Sequence, residues 1–104
     1  MTSKYRAKRT TIDGHAFASR KEAWRYADLK ILLKAGKIAD LHLQPKIPLW
    51  AGGQLVCTYI ADFFYYDRDK LKMVYEDCKG FKTPIYRLKK KLVKVLTKIE
   101  ILET

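Results

Sequence analysis

Apolar and polar positions divide the chain into short segments of two periods. Residues 10–12 and 15–18 flank Asp13-Gly14, a pair that tolerates positive φ at both turn positions and so predicts a two-residue β-hairpin. From 19 to 35 the spacing becomes helical, with Ser19 as N-cap and Gly36 beyond the last turn. Glu22, Tyr26, Leu29 and Leu33 form one stripe, and Trp24, Ala27, Ile31 and Ala35 a second, which predicts a helix contacted on two sides. Residues 39–50 alternate, with Leu41, Leu43, Ile47 and Leu49 against His42, Gln44 and Lys46; Pro45 and Pro48 make this strand irregular or place it at an edge.

After Ala51-Gly52-Gly53-Gln54 breaks the pattern, β-branched and aromatic residues dominate 58–66 and 71–78, with turn chemistry in 67–70 between them. A second hairpin is predicted there. Thr83 and Pro84 then start a helix on which Leu88, Leu92, Val95 and Leu96 share one face and Arg87, Lys90, Lys91 and Lys94 the opposite one. In 98–102, Ile99 and Ile101 alternate with Lys98 and Glu100 as in a final short strand. The order is hairpin, helix, three strands, helix, strand: an α/β fold with a mixed central sheet.

Length sharpens this picture. The 104 residues suit one compact domain and are too few for two separate cores, so a single domain over 1–104 is expected, preceded by a basic arm over 1–9. The net charge of +11 points to a polyanionic partner, nucleic acid before all others. An anionic membrane is a weaker fit, because neither a long apolar span nor a signal-peptide core follows the basic start, and an intracellular protein is expected. Cys57 and Cys78 offer no disulfide framework and no metal spacing; the register places both on the face opposite the hairpin acids, as two small buried thiols.

The candidate chemistry lies in the second hairpin. With a turn at 67–70, Asp62 stands opposite Tyr75 and diagonal to Asp77, a same-face relation that leaves Cβ atoms roughly 7–8 Å apart, close enough for both carboxylates to converge on one divalent cation. A one-residue slip would substitute Glu76 for Asp77. Lys79 favours Asp77, since it shares that face, where its ammonium can hold a water or neutralise a phosphate. Glu22 has two readings: it completes a Ser19-x-x-Glu22 capping box, and it heads a stripe directed at the sheet, towards Asp62. His15 has no ligand partner in the pattern and receives no catalytic role.

Asp62, Asp77-Cys78-Lys79 and the helical Glu22 together resemble the PD-(D/E)XK nuclease superfamily, with Ala61 where that motif carries proline. The longer runs KYRAKRTTIDGHAFASRKEAWRYADL, LQPK, YIADFFY and YEDCKGFKTPIYRLKKK resemble a family of small phage proteins assigned to it, over nearly the whole chain. The resemblance implies a restriction-endonuclease-like αβββαβ core and a metal-dependent endodeoxyribonuclease. Asp62, Asp77 and Glu22 would be the ligands of Mg²⁺ or Mn²⁺, and Lys79 would complete the catalytic set. It further implies branched DNA such as Holliday junctions as substrate, a homodimer by analogy, and the cytoplasm of a phage-infected or prophage-carrying bacterium.

DNA phosphates would meet Lys4, Arg6, Lys8 and Arg9 of the arm, Lys46 at the site entrance, and Lys82, Arg87, Lys90, Lys91 and Lys94 along the second helix, where no acid occurs nearby in sequence. The competing expectation is a nucleic-acid-binding module without catalysis, built on the same arm and helix, whose acids are structural.

Overall fold

A computed structural model describes residues 10–78 and 82–104. Asp13 (φ 52°) and Gly14 (φ 79°) join β1 (Thr10–Ile12) to β2 (His15–Phe17), as their tolerance of left-handed backbone requires. Helix α1 (Arg20–Lys34) follows, its first turn capped by the Ser19 hydroxyl, which accepts the Glu22 N–H. Next come β3 (Ile38–Leu43), β4 (Lys46–Ala51), β5 (Gln54–Ile60), β6 (Phe63–Asp67) and β7 (Lys72–Asp77), then α2 (Pro84–Thr97) and β8 (Ile101–Glu103). The fold is mixed α/β.

Five strands rather than three separate the helices, because two of the expected strands each bend. The segment 39–50 breaks at Gln44 (φ 51°) and Pro45, and 58–66 breaks at Ala61 and Asp62. These breaks face one another: Gln44 N–H donates to the Asp62 carbonyl at 2.9 Å, and Ala61 N–H to the Pro45 carbonyl at 3.1 Å. The pairing offset of β4 with β5 at Lys46↔Ile60 continues that of β3 with β6 at Leu43↔Phe63. One long ribbon is therefore folded at its middle, where proline has no N–H to give the ladder.

The inner half of that ribbon joins β7 and β8 in a four-stranded sheet of order β3-β6-β7-β8, antiparallel except for the parallel β7–β8 pair. A parallel pair needs a crossover, and α2 lies between its strands in sequence. On one sheet face Phe63, Tyr65 and Val74 pack with Ala23, Tyr26 and Leu29 of α1 and with Phe17. Against the other face, Ile101 packs with Ile47, Leu49 and Tyr59 of the β4–β5 hairpin and with Tyr86 and Val93 of α2.

Three expectations change. Helix α1 buries Ala23, Tyr26 and Leu29 against the sheet and the β1–β2 hairpin, whereas Trp24 and Ile31 of the second stripe are exposed. Helix α2 buries Tyr86 and Val93, while Ile85, Leu88 and Val95 of its apolar stripe face outward. The two cysteines lie in different clusters, Cys78 beneath α1 and Cys57 beside the α2 core, because the bend in the ribbon ends simple alternation. Both thiols are free.

Candidate active site

The site forms where β6 begins and β7 ends. The β6–β7 turn occupies 68–71, with Asp67 paired to Lys72, and Asp67 Oδ1 accepts the N–H groups of Asp69 and Lys70, both at 3.0 Å. Leu71 at φ 55° closes the turn. The expected turn at 67–70 is thus shifted, and Phe63↔Glu76 becomes the last ladder pair. Asp62 comes to stand across from Asp77 rather than diagonal to it. The shift preserves the parity of the strands, so the two acids still meet.

Their contact is reciprocal. Asp62 N–H donates to Asp77 Oδ1 at 2.9 Å, and Cys78 N–H donates to Asp62 Oδ2 at 2.7 Å, so each carboxylate is held by the backbone of the other's strand. The Tyr59 hydroxyl donates to Asp77 Oδ2 from the far half of the ribbon. Asp77 is fully buried, whereas Asp62 is partly exposed. Donors thus engage both oxygens of the buried Asp77 side chain.

Glu76, the alternative to Asp77, points the other way. Arg25 on α1 clamps it through Nε to Oε2 at 2.6 Å and Nη2 to Oε1 at 2.9 Å, while the Tyr65 and Thr104 hydroxyls donate at 2.7 and 3.1 Å. Hydrogen bonding to Glu76 raises the Arg25 pKa, and burial, reinforced by that carboxylate, raises that of Tyr65. The residue is a satisfied buried anion and leaves Asp77 as the acid facing Asp62.

Glu22 and Asp62 line one cleft of about 110 Å³ together with His15, Ala16, Phe17, Leu43 and Gln44. Burial pushes the Cys78 thiol up, and the charges of Glu76, Asp62 and Glu22 add to that shift. Lys79 lies outside the described residues, as do Lys4, Arg6, Lys8 and Arg9. Among the described residues no three His, Cys, Asp or Glu side chains form a ready cage for a metal. Asp62 and Asp77 do supply hard oxygen donors of the kind Mg²⁺ uses, an ion that commonly takes one or two carboxylates and keeps several waters.

The basic residues of α2 are distributed otherwise than expected. Lys82, Arg87, Lys90, Lys91 and Lys94 line a groove of about 430 Å³ between α2 and β8, but β8 brings acids into it. Glu103 pairs with Lys82 and Lys90, each at 3.2 Å, and Glu100 with Lys94 at 3.2 Å. The Tyr86 hydroxyl donates to Glu103 Oε2 at 2.8 Å; with Lys90 and Lys82 it holds the Glu103 carboxyl down to about 2. Burial and the hydrogen bond to Glu103 raise the Tyr86 pKa, and the Tyr86 ring lies 6.5 Å from that of Tyr59, whose hydroxyl binds Asp77, so the groove approaches the acid pair. Lys46 is exposed at the start of β4, two residues past Gln44.

Sequence reasoning placed His15 within reach of substrate but gave it no catalytic role, and it passed over Tyr59 as the partner of Asp77 and Glu103 as the acid of the basic groove. Only the Asp13-Gly14 turn beside His15 left a signal, since the others depend on contacts between distant segments. The chain belongs to the family described as protein of unknown function DUF1064, whose model matches residues 2–100. No curated protein and no solved structure matches it.

Proposed function

We propose that the protein is a metal-dependent endonuclease that hydrolyses DNA phosphodiesters at the Asp62–Asp77 pair, with a restriction-endonuclease-like core and branched DNA as its substrate. The observation that carries this reading is the reciprocal locking of the two carboxylates at the strand ends, beside a cleft that Glu22 shares. Two carboxylates held side by side at the strand ends of a +11 protein would repel phosphate unless a cation stood between them. Asp62 and Asp77 would hold Mg²⁺ or Mn²⁺, which supplies Lewis-acid polarisation of the phosphate and a more acidic bound water.

The chain's own residues do the rest. Tyr59 and the Asp62 N–H orient Asp77, and the Cys78 N–H fixes Asp62. Glu22 orients groups entering the cleft, and Lys79, by resemblance, positions the attacking water or stabilises charge developing on the phosphate. The α2–β8 groove, next to the acids through Tyr86, offers the phosphate backbone a path away from the point of cleavage. A homodimer that cuts paired strands, in a phage-infected or prophage-carrying bacterial cell, belongs to this reading by analogy.

Complete burial of Asp77 favours a second reading, in which the acids only brace the strand ends and the protein binds nucleic acid without cutting it. Asp62→Asn, assayed on four-way junction, flap, single-stranded and duplex DNA with and without Mg²⁺ or Mn²⁺, separates the two. The nuclease reading expects cation-dependent cleavage by the wild type and its loss in the variant, with DNA binding kept or strengthened. Cleavage that survives Asp62→Asn, or its absence from the wild type on every substrate, would leave the binding module.

A further inference from the structure

The sheet face turned away from α1 carries a row of rings that is left partly open. Phe63, Tyr65 and Val74 pack towards α1, so alternation sets Phe64, Tyr66, Met73 and Tyr75 on the other side. His42 is paired with Phe64 and Phe64 with Tyr75, their ring centroids 5.9 and 4.9 Å apart across β3, β6 and β7. Tyr66 and Met73 form the next pair towards the turn. The β4–β5 hairpin and α2 cover this face at Ile101 and reach Tyr75. Among the described residues, His42, Phe64, Tyr66 and Met73 join neither core cluster, and both His42 and Met73 are exposed.

The geometry points to a stacking platform for the bases of an unpaired DNA strand, at the nucleotides that flank the cut. This deepens the nuclease reading and rests on it for the place of cleavage. The row leads to the acids: Asp77 lies two residues beyond Tyr75 on β7 and Asp62 two before Phe64, so a base on either ring belongs to a nucleotide beside the Asp62–Asp77 pair. The spacing suits a strand without a partner. Same-face residues advance roughly 6.8 Å along a strand, twice the rise of about 3.4 Å per nucleotide in a duplex strand, so bases laid on Phe64 and Tyr66 are unstacked from each other.

Charge is distributed as such a strand needs. Ala39, His42, Phe64, Tyr66, Met73 and Tyr75 include no Asp, Glu, Lys or Arg, whereas the basic α2–β8 groove borders the row, its Ile101 being the register partner of Tyr75. Bases thus meet rings, and phosphates meet cations at the margin. A duplex keeps its base faces stacked on one another and has none to lay on the platform. Among branched substrates the row therefore selects flaps and forks, which carry an unpaired arm, over four-way junctions, whose arms are all paired.

Fluorescence anisotropy in EDTA, with a single strand and the blunt duplex of equal length, tests the platform apart from the chemistry. The full chain is expected to bind the single strand more tightly at matched salt and to quench 2-aminopurine placed in it. Phe64→Leu, which keeps apolar volume but removes the ring, lowers single-strand affinity about 10-fold, weakens the quenching and leaves duplex affinity unchanged. His42→Ala acts in the same direction from an exposed edge-strand position outside both core clusters, with the fold of each variant checked by far-UV circular dichroism. Equal affinity for the two DNAs, a loss shared by both, or unchanged single-strand binding in the two variants overturns the proposal. So does self-association in sedimentation that the same substitutions abolish, which gives the face to a second copy. Wild-type protein that cuts no substrate with Mg²⁺ or Mn²⁺ sinks the nuclease reading and leaves the platform standing, because base binding is read without metal. Cleavage by a protein blind to unpaired bases sinks this inference alone.

Discussion

Glu76 and Asp77 are neighbours with opposite tasks, and the difference is one of face. Glu76 is oriented towards α1, where Arg25 meets it with two hydrogen bonds. Truncating one partner of a buried pair strands the other's charge, so Arg25→Ala is expected to cost about 3–5 kcal/mol in urea unfolding. Arg25→Met with Glu76→Gln should recover much of that loss, because no buried charge remains.

Glu103 gives a pH signature at the same scale. Its folded pKa, about 2, lies below the unfolded value, so its contribution is complete above the ordinary carboxylate range and vanishes as pH falls towards 2. Thermal unfolding followed against pH should show Glu103→Gln less stable than wild type at pH 7, with the two curves converging at the acid end.

Among the elements, the helices were the most legible, because caps are local. Ser19, Thr83, Pro84 and Gly36 mark their ends in sequence and do so in the fold. Thr83 Oγ1 accepts the Tyr86 N–H at 3.0 Å, and Thr83→Ala should therefore lower stability by about 1 kcal/mol, measured by denaturant titration. Which face each helix buries was less legible. A hydrophobic stripe states a preference, and α2 shows that a core can instead use Tyr86 and Val93, off the main row.

Strands were harder again. Alternation predicted both long segments, and Pro45 flagged irregularity, but the opposed break at Ala61 and Asp62 exists because the ribbon must bend at both strands together. The parity that brought Asp62 and Asp77 to one place survived the shifted turn, and the exact pairing did not.

At the scale of the molecule, the +11 charge is less uniform than the sequence suggests. Lys82, Lys90 and Lys94 are engaged by β8, whereas no ion pair is recorded for Arg87 or Lys91 among the described residues. If the groove carries DNA, Arg87→Ala and Lys91→Ala should each reduce the slope of log affinity against log salt by about 1. Lys82→Ala should reduce it less, since Glu103 already offsets that charge. Fluorescence anisotropy across a salt series reads the difference. No helix among the described residues is long and apolar enough to cross a membrane.

Local chemistry was enough to specify the N-terminal hairpin, both helices with their caps, the alternation of the strands and the set of acids near the second hairpin, since turns, caps and periodicity act over a few residues. Tertiary structure alone decided the rest: that Asp62 and Asp77 brace one another while Glu76 belongs to Arg25, that β8 brings acids into the lysine groove, and that the apolar row of α2 is left outside. Those outcomes depend on segments far apart in the chain, whose meeting is fixed by the fold of the ribbon and by the order of strands in the sheet.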